Sequence, residues 1–173
     1  ILIISAAGAF AQDNAAAQAG SWKTWVIGSG KEHGVPPPPD ASATRAELDW
    51  LRAMSKENDP RILEQIRYWD SGPPSYRWME MIAKRQSAGQ SVGAYFVRAY
   101  AYASMAVYDA TIAAWEAKYA HQRKRPSGMD PDIQARVSIP ASPPYPSDYA
   151  ATAAAAATVM AYLVPGEAAS FQS

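Results

Sequence analysis

The longest uninterrupted helical pattern sets what this chain can become. From Ser91 to about Ala120, apolar residues recur at three- and four-residue intervals: Val92, Phe96, Ala99, Ala103 and on to Ala117. No proline falls within that run. The spacing predicts one long helix. Alanine at so many inward positions lets a neighbouring helix come close. A second alanine-rich run, from near Tyr149 to about Leu163, supplies the natural neighbour. The two alanine faces are therefore expected to pack on each other.

Proline and glycine punctuate the rest. The tetraproline Pro36–Pro39 reads as a stiff extended connector. Thr44 and Glu47 have capping-box spacing, so a helix is expected over Arg45 to Ser55 with Leu48, Leu51 and Met54 as its apolar stripe. Asp59-Pro60 opens a second helix carrying Ile62, Ile66 and Trp69. Ser71-Gly72-Pro73-Pro74 is a break, and a third helix follows over Ser75 to Gln86 with Trp78, Met79 and Ile82 inward. Ser87 to Gln90 reads as a turn. Pro126 to Pro146 is a proline-rich loop, Val164-Pro165-Gly166 ends the alanine helix, and Glu167 to Ser173 begins another. Period-2 alternation is missing throughout, so the expected class is all-α. Residues 12–44 read as an extended, proline-rich N-terminal segment with Trp22 and Trp25 as packing anchors. Residues 45–173 read as one helical domain.

Composition excludes several functions. Sixteen Lys and Arg balance sixteen Asp and Glu, so nothing steers the chain toward nucleic acid. With no cysteine there is no disulfide and no thiolate chemistry. His33 and His121 stand far apart, which argues against a histidine-rich metal site. At the start, I-L-I-I-S-A-A-G-A-F-A, Ile1 to Ala11, has the form of a signal-peptide core with an Ala9-Phe10-Ala11 cleavage site. It reads as a signal-peptide remnant or part of an N-terminal anchor; a buried strand is the plainer alternative. The expected location is exported, periplasmic or extracellular, with membrane association an option.

Two stretches carry chemistry. In K-Y-A-H-Q-R-K-R-P, Lys118 to Pro126, two permanent cations stand at the exit of the long helix. An arginine fork and a lysine point charge make an oxyanion clamp. The plainer reading is a helix-end charge and solvated loop residues. In P-P-Y-P-S-D-Y, Pro143 to Tyr149, Ser147 is a good N-cap and Asp148 suits a helix N-terminus. Either this is capping alone, or the helix end offers its free N–H groups to a bound anion.

Lys118, Arg125 and Pro126 resemble the first signature, K-x6-R-P, of the type 2 phosphatidic acid phosphatase and vanadium-dependent haloperoxidase superfamily. Pro146 and Ser147 match the start of its second signature, P-S-G-H; Asp148 stands at the glycine and Tyr149 at the histidine. Tyr108 to Tyr119 resembles the helix leading into the clamp in the haloperoxidase-like branch, and Tyr68 to Glu80 a segment upstream of it. The resemblance spans about Arg61 to Phe171. It implies a helical bundle holding phosphate or vanadate. Lys118, Arg125 and Ser147 would bind its oxygens, and the backbone N–H groups around Asp148 would complete the cradle.

Two departures shape the functional expectation. The family's histidine acts as general acid, whereas Tyr149 has a reference pKa of about 10 and is a weak acid near neutrality. His121 is the substitute acid to weigh against it. The third signature, S-R-x5-H, does not occur through Ser173. The expectation is a catalytically impaired protein that keeps an oxyanion pocket and serves as a structural or partner-binding subunit, with a protein partner or a second copy of itself. The alternative is an active acid phosphatase or vanadium-dependent haloperoxidase whose third motif lies beyond Ser173. Phosphate would be the bound anion, and vanadate the cofactor if the chain is haloperoxidase-like.

Overall fold

The computed structural model describes residues 17–57, 59–87 and 93–172. The expectations for Ile1–Ala11 and for the turn at 88–90 lie outside them. The described residues are all-helical, with no strand among them. In chain order the helices are α1 (Ala41–Met54), α2 (Pro60–Trp69), α3 (Tyr76–Ser87), α4 (Gly93–His121), α5 (Pro126–Met129), α6 (Asp148–Leu163) and α7 (Ala168–Gln172).

α4 is the axis of the fold. One side packs along α6 and α3 in a core of Trp78, Ile82, Ala103, Val107, Ala156 and Met160, closed at one end by Phe171 of α7. Ala103 and Ala156 are completely buried, so the two alanine faces do meet. The side chains there are small, and burial comes from close backbone approach instead of interdigitated bulk. Arg85 of α3 pairs with Glu167 and lies over the Phe171 ring at 4.7 Å, tying α3 to the turn before α7.

The other side of α4 is covered by the N-terminal segment. A 3-10 turn, Ala19–Ser21, lies against it. Gly20 comes so close that a Cβ there would stand 2.5 Å from the Cα of Glu116. Gly30 lies against the same place, near Ile112 and Glu116. The expectation that Trp22 and Trp25 anchor this segment fails. Trp22 and Trp25 are both exposed. Backbone does the anchoring: the buried carboxylate of Asp109 accepts N–H bonds from Trp25 (2.8 Å), Val26 (2.7 Å) and Ile27 (3.1 Å).

α1 and α2 form an outer layer without a fully buried residue. Arginines hold it: Arg52 to Asp130, Arg123 to Thr44 and Glu47, and Arg136 to the carbonyls of Ser55 and Glu57. α1 starts earlier than the sequence suggested. Its cap is Asp40, which accepts from Ser42 and Ala43, so Thr44 and Glu47 lie inside the helix and serve Arg123. Residues 41–44 are therefore helical, not part of the extended segment. Asp59 and Pro60 open α2 as expected. The proline-rich loop gains the single-turn helix α5 because Pro126 sits at its first turn.

The Gly20 contact generates a test. Gly20→Ala forces backbone apart at Glu116 and should cost about 1–3 kcal/mol, the usual range for overpacking a tight site. Gly34→Ala, with nothing within 4 Å of the added methyl, should leave the thermal midpoint unchanged or slightly raised. Equal midpoints for both variants would mean that the segment does not seat on α4.

Candidate functional site

Lys118 lies in the last turn of α4 and is 1% exposed. A buried ammonium needs acceptors, and it has two. Its Nζ donates to the Pro143 carbonyl at 2.6 Å and stands 3.4 Å from the Asp148 carboxylate. Burial pushes the Lys118 pKa below its ordinary value; Asp148 opposes that shift, and the nearby charge of Arg125 adds to it.

The chain then turns sharply. Gln122 takes a left-handed conformation, φ 47°, and its N–H bonds the Lys118 carbonyl at 2.8 Å. This closes the helix in the manner usually left to glycine. The extended stretch after it brings Arg125 back beside Lys118. Arg125 directs Nε and Nη2 to one carbonyl, that of Ser142, at 3.0 and 2.6 Å. Burial lowers its pKa too, against the pull of Asp148. Both cations thus face the stretch 142–148.

At the start of α6, Ser147 is the N-cap, its Oγ accepting the Ala150 N–H at 3.2 Å. Asp148 occupies the first turn, where the helix dipole favours a negative charge, and its carboxylate turns toward Lys118. The cap is therefore present, and the anion beside Lys118 belongs to the chain.

The structure brings Lys118, Arg125 and Asp148 together, with Ser147 at the adjoining helix end. Tyr149 and His121 are engaged elsewhere. The Tyr149 hydroxyl donates to the Gly72 carbonyl at 3.2 Å, and Tyr149 lines a cavity together with Trp69 and Ile66. Burial raises its pKa, with the charges of Asp70 and Asp148 adding to the rise. His121 lies against the Tyr145 ring, centroids 5.7 Å apart. Among the described residues no hydrogen bond joins either side chain to Lys118 or Arg125.

Sequence reasoning missed the two carbonyls, Ser142 and Pro143, that accept from the cations. Main-chain acceptors leave no residue-type signal. It also gave no role to Asp109, although an acid inside an alanine stripe is itself a sign of burial. Among the described residues no group of three His, Asp or Glu side chains is arranged to hold a metal ion. Beside the cluster lies a cavity of about 360 Å³ between α1, α2 and the loop 133–139, walled by Leu51, Ile62, Ile66 and Ile139, with Arg125 at its edge. The cluster itself sets two cations against one carboxylate, a net charge of one positive. Each of its charged groups already has a partner within the chain.

Compared with known protein families, curated proteins and solved structures, the chain matches none.

The Lys118–Asp148 pair is testable. Removing one member of a buried pair strands the other. Asp148→Asn should lower stability by about 2–3 kcal/mol near neutral pH, as urea unfolding would read. The sign of the pH effect follows from the depressed lysine pKa. Between the folded and unfolded lysine pKa values the unfolded state binds more protons, so stability gains with rising pH. The deficit of the variant should therefore shrink in alkaline buffer, as Lys118 sheds its charge. A deficit independent of pH would mean that Asp148 acts only as a helix-end charge.

Proposed function

We propose that this chain is a catalytically impaired relative of the type 2 phosphatidic acid phosphatases and vanadium-dependent haloperoxidases, acting as a structural or partner-binding subunit. The reading joins the signature-like spacing of Lys118, Arg125, Pro126, Pro146 and Ser147 to one observation. An oxyanion already stands beside Lys118, and it is the carboxylate of Asp148, the residue at the motif's glycine position. A glycine there would leave the space in front of the lysine open to a phosphate oxygen. Asp148 fills it with a group that cannot leave.

The position of Tyr149 supports the same reading. A general acid must reach the group that it protonates, and it works best with a pKa near the operating pH. Tyr149 bonds Gly72 and is held above its ordinary pKa. Phosphoryl transfer relies on positioned donors facing the equatorial oxygens. Here the donors of Lys118 and Arg125 face carbonyls of the loop 142–143.

Hydrolysis of a simple phosphomonoester and peroxide-dependent halide oxidation should both stay at background, and Tyr149→Phe should change neither. Phosphate or vanadate should raise the thermal midpoint of Asp148→Gly more than that of the unaltered chain, because that variant opens the space before the lysine to an external anion. Arg125→Ala in that background should abolish the gain. Robust turnover that Tyr149→Phe removes would establish the opposite reading, an active enzyme with tyrosine as its acid.

A further inference from the structure

The stretch W-K-T-W-V, Trp22 to Val26, forms a tip on the outer side of the N-terminal segment. Its large apolar side chains stand in solvent: Trp22 is 51% exposed, Trp25 71% and Val26 74%. Single exposed hydrophobics are common on soluble proteins. Here three fall within five residues, on a segment whose backbone is tied to α4.

The backbone is held by carboxylates. Asp109 accepts the N–H groups of Trp25, Val26 and Ile27, and Glu32 accepts that of Gly28. The Thr24 hydroxyl donates to the Ile27 carbonyl. Four consecutive N–H groups are thus satisfied from within the chain. The N–H groups of Trp25 and Val26 turn inward to a buried acid while their side chains stay exposed.

That arrangement fits a lipid surface. Backbone N–H groups that depend on water cannot enter a bilayer without losing their partners. These four have partners that travel with them. Tryptophan, with an apolar body and one N–H, is the residue favoured at headgroup level. Lys23, exposed between the two tryptophans, can reach up to phosphate groups. Area argues in the same direction. A stable protein interface takes about 800 Å² from each side, far more than a three-residue tip supplies, whereas interfacial insertion needs only the tip. No helix among the described residues is long and apolar enough to cross a membrane.

We propose that the Trp22–Val26 tip is an interfacial anchor. It inserts Trp25 and Val26 at the headgroup–acyl boundary of a bilayer containing anionic phospholipid, with Lys23 at the phosphates. The inference is independent of the phosphatase-like reading. Asp109 and Lys118, nine positions apart at about 100° per residue, lie on opposite sides of α4.

The test is co-sedimentation of the full chain with vesicles of phosphatidylcholine and phosphatidylglycerol in equal parts. The unaltered chain should bind. The double variant Trp25→Ser/Val26→Ser should partition at least about tenfold more weakly, the order expected from withdrawing two apolar side chains from burial. Its thermal midpoint should be unchanged, because both side chains are exposed. Lys23→Glu should weaken binding to the mixed vesicles more than to pure phosphatidylcholine. Failure of the unaltered chain to sediment with vesicles overturns the proposal, as does equal binding by the double variant. A chain that ignores vesicles but forms dimers that the double variant loses would reassign the tip to self-association.

Discussion

Charge buried on the central helix organises the irregular half of this protein. α4 packs on both sides, and two of its charged residues, Asp109 and Lys118, are almost wholly out of water. Desolvating a charge is costly unless partners replace the lost water. Helices cannot supply those partners readily, since their backbone groups are engaged with one another. Loops can. Asp109 draws in the N–H groups of 25–27, and Lys118 draws in the Pro143 carbonyl and the first turn of α6. The N-terminal segment and the proline-rich loop are therefore placed by opposite charges nine residues apart on one helix.

The same requirement governs what the cluster can do. Two cations converge, as an oxyanion clamp requires, but each is already satisfied by the chain. Arg125 holds one carbonyl with two donors, and Lys118 holds a carbonyl and a carboxylate. An external anion would have to displace Asp148 or share its neighbours. This is why the proposed function gives the cluster a structural part. The loop 142–148 is a ligand of the cations, and it fixes where α6 begins.

The outer layer follows another rule. α1 and α2 bury no residue completely, so side-chain area holds them weakly. Arg52, Arg123 and Arg136 reach across to carboxylates and carbonyls instead. A planar guanidinium with several donors suits such bridging better than lysine would. Leu51 and Met54 of α1 and Ile62 and Ile66 of α2 line a cavity instead of a core.

The all-α class, the breaks at Gly72 and Gly166 and the starts at Pro60 and Asp148 were legible because helix period and capping are local properties. The pairing of α4 with α6 could be read from the alanine spacing on both. Lys118, Arg125, Ser147 and Asp148 were legible as residue types at a helix exit and a helix start. Their bonding was not. That Asp148 faces Lys118, that Arg125 takes the Ser142 carbonyl, and that Tyr149 turns to Gly72 depend on where a loop crosses the helix ends. Trp22 and Trp25 show the limit most plainly: composition places tryptophan in a core, yet here Gly20 and backbone N–H groups make the contact and the rings face outward. The sequence alone determined which segments are helical and which faces are apolar, since both follow from the order of side chains along one helix. The tertiary structure decided which partner each buried charge receives, because those partners are main-chain groups that every residue carries and only three-dimensional proximity selects.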